Sequence, residues 1–318
     1  MADLTQFYNP KILAELAVGY GNRRYIADLA MPTVRSADQI GTFQVFDKDN
    51  MALDIESART SPTADVAALD FGVSKTDFTC KGYGFKHFVP NHKDEDVQGQ
   101  YLAGAVQVVK DSLLNIREGI VLTKILACGN TTSITTAWDA ASTDLGTVRT
   151  GVEQMQADLV DETGMPGNVL IMGRDVWAVV AGKVVGGYLT PTVPNTQMLA
   201  ELLGVDRILV SEVDYVTEKN AGSWDNPTKF WTAKYAALLN NGVADMPNFD
   251  ANMGSTAFTP AYGKTAQWTG GATMDGIEWR SYEWADKGSG GGVYVSGTMY
   301  IDAVETLNKA ATLASVLT

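Results

Sequence analysis

From Glu95 to Ala127 the chain has no proline, and Val97, Tyr101, Ala105, Val109, Leu113, Ile116 and Ile120 recur at steps of four and three. That spacing places apolar side chains on one face of an α-helix. Asp94, Glu95 and Asp96 put negative charge where helix amides are unpaired, and Gly129 predicts a left-handed stop. Such a helix spans roughly 50 Å at 1.5 Å per residue. Gly99, Gly104 and Gly119 weaken it locally, so packing along one face must hold it. The pattern predicts a spine on which other elements are laid.

Upstream the pattern is extended. Thr42 to Lys48 alternates as a strand does, and Ser74 to Pro90 is a longer stretch rich in Phe, Tyr and Thr. Between them Asp49 to Val73 is dominated by Asp, Ala, Ser and Thr, too long for a tight turn and too polar for a core. The apolar beads Met51, Leu53, Ile55, Val66, Leu69 and Phe71 cannot be buried by the loop itself. They need a neighbouring chain, or they ride on a flexible surface loop. Before this, Lys11 to Val18 reads as a short helix with Ile12, Leu13 and Leu16 on one face, followed by Gly19 and Gly21. The stretch to about Gln39 reads as an arm lying on something else.

Beyond the spine a polar connection, Asn130 to Gly146, leads into alternating helices and strands. Thr147 to Thr163 is helical, with Val148, Val152, Met155 and Leu159 on one stripe. Asn168 to Met172 is a buried-type strand, Arg174 to Gly182 a helix around Trp177, and Thr196 to Leu203 another helix. Arg207 to Val213 and Phe230 to Leu239 are strands, which makes a compact α/β unit. Asn240 to Gly271 reads as loop-rich. Ile277 to Trp284 and Val293 to Ile301 form a return hairpin across the glycine-rich 287–292 link. No internal repeat is present.

Composition narrows the function. The 318 residues carry 24 Lys plus Arg against 37 Asp plus Glu, net −13 and spread along the chain, so there is no basic footprint for gripping nucleic acid. The N-terminus lacks the basic and apolar regions of a signal peptide, and no apolar run is long enough to span a bilayer. Cys80 and Cys128 are too few for a disulfide framework or thiolate cluster, so a reducing, cytoplasmic setting is expected. His87 and His92 are the only histidines, which argues against a His-based triad or multi-histidine metal site. Gly19-Tyr20-Gly21 and Gly82-Tyr83-Gly84 lack the third glycine of a dinucleotide fingerprint, and no phosphate-binding loop motif occurs. Two residues before Ser289 in the glycine-rich link stands Lys287, where a nucleophile elbow has glycine. No catalytic, cofactor-binding or metal-binding residue is therefore assigned.

The order of arm, long projecting loop, spine helix, α/β unit and closing hairpin resembles the major capsid proteins of tailed bacteriophages, the HK97-like fold family. The resemblance is carried by Thr42 to Pro90 as the extended E-loop and by Asp94 to Ala127 as the spine helix. It continues in Pro166-Gly167-Asn168-Val169-Leu170-Ile171-Met172 followed by Val176-Trp177, and in Leu202-Leu203-Gly204-Val205 followed by Ile208-Leu209-Val210-Ser211. It implies an α+β fold with an N-terminal arm at 1–40, the E-loop and flanking strands at 41–90, and a peripheral domain with the spine helix at 91–146. The α/β axial domain follows at 147–271 and return strands of the peripheral domain at 272–318.

The function so implied is a non-enzymatic shell subunit forming hexamers and pentamers of an icosahedral head, assembled in the host cytoplasm and resident in the virion capsid. Met51, Leu53, Ile55, Arg59, Leu69 and Phe71 of the E-loop would contact a neighbouring subunit. Implied partners are further copies of the chain, a scaffolding protein, a portal, a decoration or cement protein, and packaged double-stranded DNA bound without sequence specificity. Some members of the family cross-link their shells through an E-loop lysine. Residues 51–73 contain no Lys, only Arg59, whose guanidinium is no nucleophile at neutral pH, so no self-crosslinking is expected. The alternatives are an encapsulin-like nanocompartment shell and an α/β hydrolase using paired carboxylates.

Overall fold

The computed structural model describes residues 25–45, 74–91, 95–187, 195–215, 228–231, 234–242, 261–270, 276–284, 291–307 and 309–318. A single turn of helix, α1 (Ala27–Ala30), leads into β1 (Thr33–Ser36). Two strands, β2 (Ile40–Val45) and β3 (Ser74–Thr79), pair antiparallel, and after Cys80 the chain continues as β4 (Lys81–Pro90). The long extended stretch expected over 74–90 is thus broken at one residue, where Cys80 N donates to Gln39 O at 2.9 Å.

The spine helix α2 runs from Glu95 to Leu126, close to the expected bounds. Gly129 is not its left-handed stop, because its φ is not positive. The last turn tightens instead, with Cys128 N donating to Ile125 O at 3.1 Å. Its buried stripe keeps Ala105, Val109 and Leu113 of the expected one but not Tyr101. Leu102, Ala105, Val106, Val109 and Leu113 are buried, and Tyr101 is 53% exposed. Toward the C-terminus the stripe turns to Glu118, Val121, Leu122 and Ile125, because the helix passes from one sheet to another and changes the face it buries.

After β5 (Thr131–Thr132), helix α3 (Leu145–Thr163) starts at Asp144, which accepts from Thr147 N at 2.9 Å, and ends at Gly164 with φ 75°. The strand β6 (Val169–Gly173) and helix α4 (Arg174–Gly187) follow. Helix α5 (Thr196–Leu203) is capped by Asn195 and closed by Gly204. The strands β7 (Arg207–Ser211), β8 (Asp214–Tyr215), β9 (Thr228–Lys229) and β10 (Tyr235–Leu239) complete this stretch. The last four strands are β11 (Gly263–Trp268), β12 (Glu278–Trp284), β13 (Gly292–Glu305) and β14 (Ala311–Ser315). Thus β11 lies inside the stretch read as loop-rich, and β14 lies where no strand was expected.

Two five-stranded sheets organise the molecule. The axial sheet has the order β5-β14-β10-β6-β7, with β6 and β7 parallel. Its alternating residues feed two cores. Leu170, Met172, Ala236 and Leu238 meet Val148, Val152, Met155 and Leu159 of α3, while Val169, Ile171, Ala237 and Leu239 meet Val121, Leu122 and Ile125 of α2. The peripheral sheet is built on β13, with β4 along one edge and β12 and then β11 along the other; β1 pairs parallel with β11. The N-terminal half of α2 packs on one face of this sheet, against Val89, Ile277, Trp279, Val295, Met299 and Ile301.

Three segments therefore cross the expected boundaries. Residues 25–36, read as the end of a detached arm, are packed on their own chain: Ile26, Ala27, Ala30 and Met31 are buried in the core between the sheets, and β1 joins β11. The terminal β14 belongs to the axial sheet, paired with β10 and β5, and β11 to the peripheral one.

Candidate assembly surface

Met51, Leu53, Ile55, Arg59, Leu69 and Phe71 all lie outside the described residues. What the structure describes is the stem that carries them. Here β2 and β3 pair from Ile40↔Thr79 to Val45↔Ser74. The base of the stem has its own small core of Val34, Phe43, Phe78, Cys80 and Ala266, bordered by Trp268, Tyr300 and Val304. The rings of Phe43 and Phe78 lie 4.8 Å apart. Gly41 sits beneath Phe78, where a Cβ would come within 2.6 Å of the ring. Thr79 N donates to Asp302 Oδ2 at 2.9 Å and Trp268 Nε1 to Ala37 O at 2.9 Å, so the stem is tied to β13 and β11 and its direction is set.

The face of the peripheral sheet turned away from α2 carries a feature that the sequence reading passed over. Along β13, Val293, Val295, Met299 and Ile301 are buried, while Tyr294, Ser296, Thr298 and Tyr300 stay partly exposed. Register places Phe88 of β4 and Tyr282 of β12 on either side of Tyr294. The three rings form a row, with Phe88 5.0 Å and Tyr282 6.3 Å from Tyr294 between centroids. Lys86 Nζ lies 5.0 Å above the Tyr294 ring. Phe88 is 39% and Tyr282 47% exposed. The signal was the period of two in 293–301, which marks a second face as clearly as the first.

Reactive chemistry is sparse among the described residues. No group of three potential metal ligands occurs there, and no helix is long and apolar enough to cross a membrane. Cys80 and Cys128 are both buried, and burial pushes each thiol up to about 11; a thiol held protonated is a poor nucleophile. Burial lowers Lys264 on β11 to about 8. His87 is exposed on β4, and His92 lies outside the described residues.

No family model matches the chain. It is 23% identical over 285 residues, 83% of its length and 85% of the relative's, to the major capsid protein of Burkholderia phage BcepMu. A phage-related protein of Bordetella bronchiseptica RB50 superposes with a TM-score of 0.68 at 18% identity, covering 97% of this chain and 96% of that one. The capsid of an empty GTA particle superposes with a TM-score of 0.55 at 11% identity, covering 94% and 98%. The α+β fold is that of the HK97-like capsid subunits.

Proposed function

We infer that this chain is a phage major capsid protein, which self-assembles into the hexamers and pentamers of an icosahedral head shell around double-stranded DNA. The observation that carries the reading is that the likeness to capsid proteins covers 83% of the chain in sequence and 94% in structure, rather than one module. Two features support it independently. On its face away from α2 the peripheral sheet bears an aromatic row in which Phe88 and Tyr282 are exposed, the residue type that interfaces favour. The chain is acidic throughout, and an acidic wall lets packaged DNA slide where a basic one would hold its phosphates.

Within that reading, Met51, Leu53, Ile55, Leu69 and Phe71 bury themselves on an adjoining subunit, with Arg59 as a polar contact. The firmly anchored stem supports this by giving the loop a fixed direction. Assembly takes place in the host cytoplasm with a separate scaffolding protein and a portal, and the shell relies on non-covalent contacts or a cement protein. Size-exclusion chromatography and electron microscopy of the purified chain test the core of this. Capsomers or closed particles are expected, and a small oligomer that never assembles would overturn it. Particles boiled in detergent should release monomers; a ladder of covalent oligomers would refute the non-covalent shell.

A further inference from the structure

Residues 25–31 touch the spine helix and both sheets. Tyr25 Oη donates to Asp111 O at 3.2 Å and Asn115 Oδ1 at 2.9 Å on α2. Ile26 N donates to both carboxylate oxygens of Glu118, each at 3.1 Å, and Ala27 N to Glu118 Oε2 at 2.8 Å. Asp28 pairs with Arg117. On the axial side Asn241 Nδ2 donates to Leu29 O at 2.9 Å, and Asn241 is itself bonded to Asn168 beside β6. On the peripheral side Thr265 Oγ1 donates to Met31 O at 3.3 Å and Thr265 N to Pro32 O at 3.0 Å. Between these ties Ile26, Ala27, Ala30 and Met31 are buried where the two sheets and α2 meet.

Glu118 is the informative member. Its side chain is fully buried, and burying a carboxylate is costly unless it is hydrogen-bonded and paired. Burial pushes its carboxyl above the ordinary range; the Ile26 and Ala27 amides and Arg117 pull it back, and Asp28 adds to the push. The N-cap of α1 is Ile26, which offers no capping side chain. A local Ser or Asp would satisfy those amides at lower cost. A Glu reaching across from the spine fixes instead where this segment stands relative to α2.

We propose that residues 25–31, keyed to the spine helix by Glu118, are a clasp that sets the angle between the axial and peripheral sheets and thereby the curvature of the assembled shell. The proposal rests on the shell reading above. In a closed shell a small error in each subunit's internal angle is repeated in every copy, so the clasp is a positioning device for particle size.

The test compares wild type with Glu118→Gln, which keeps the side chain's shape but removes its charge and one acceptor. Wild type should give particles of one diameter. Glu118→Gln should lose that single population to mixed diameters or open sheets, and the Ile26 and Ala27 amides should exchange hydrogen about tenfold faster, as expected for a lost charge-assisted bond. Thr265→Val deletes only the Thr265 Oγ1 tie to Met31 and should broaden the diameters with little change in melting temperature, a shift that mere loss of stability would not produce. Should Glu118→Gln fail to fold, Thr265→Val decides. Assembled variants with the wild-type diameter and wild-type exchange overturn the clasp. If wild type itself forms no closed particle, the shell reading fails, and the clasp is judged by amide exchange alone.

Discussion

The two sheets have the same number of strands and opposite surroundings. In the axial sheet every residue of β6 is buried, and both faces are covered, by α3, α4 and α5 on one side and by the C-terminal half of α2 with α1 on the other. In the peripheral sheet β13 buries one side chain and leaves the next half-buried; α2 covers one face, and on the other the described residues of the stem cover Tyr300 and Val304 but leave Phe88 and Tyr282 exposed. A sheet closed on both sides is a finished core, whereas one left open on an aromatic face is finished by something else. On the proposed shell reading, the first carries stability and the second is expected to carry contact.

That contrast is sharpest under substitution. Leu238→Ala, at a fully buried position packed against the Gly167 turn, should cost about 2–5 kcal/mol and lower the denaturant midpoint strongly. Phe88→Ala combined with Tyr282→Ala should change subunit stability by no more than about 1 kcal/mol, yet suppress particle formation followed by light scattering. Equal stability losses from the two sets would erase the distinction.

A smaller effect is expected at Lys264, buried at the inner edge of the peripheral sheet. Its amine is lowered from 10.5 to about 8 in the folded chain, so the unfolded chain binds more protons between those values and stability rises with pH across that window. Lys264→Met should remove that slope, as thermal melts at pH 7 and 10 would record. An unchanged slope would mean the amine is not desolvated. The smallest effect separates the two thiols. Iodoacetamide at pH 8 should leave Cys80 and Cys128 largely unmodified in the folded protein and label both at once in denaturant. Any slow native labelling should favour Cys80, whose stem core is the smaller cluster.

What could be read from the residues follows the same division. The helices α2, α3 and α5 were legible because their apolar spacing is local, although the left-handed stop expected for α2 at Gly129 is not there. By contrast, β14 was not, since Ala311-Thr312-Leu313-Ala314-Ser315 is too alanine-rich to read as a strand; it is one because β5 and β10 enclose it and four of its five residues are buried. The strand β11 was hidden by Lys264, Thr265 and Gln267, polar residues buried nonetheless. Gln267 Nε2 bonds to Gly276 O at 3.0 Å, a tertiary partner that no window of sequence displays. Glu118 looked like any charge on a long helix. The six E-loop contacts expected from the resemblance lie outside the described residues, so the part of the surface now in view is the aromatic row.

The insertion of β14 between β5 and β10 bears on how the subunit is made. Residues 131–132 and 235–239 leave the ribosome well before residues 311–315, so β5 stays parted from the rest of the axial sheet until β14 is made. A chain cut short before Ala311 lacks the strand that joins β5 to the rest, and incomplete translation products are thereby barred from adopting the shape of a finished building block.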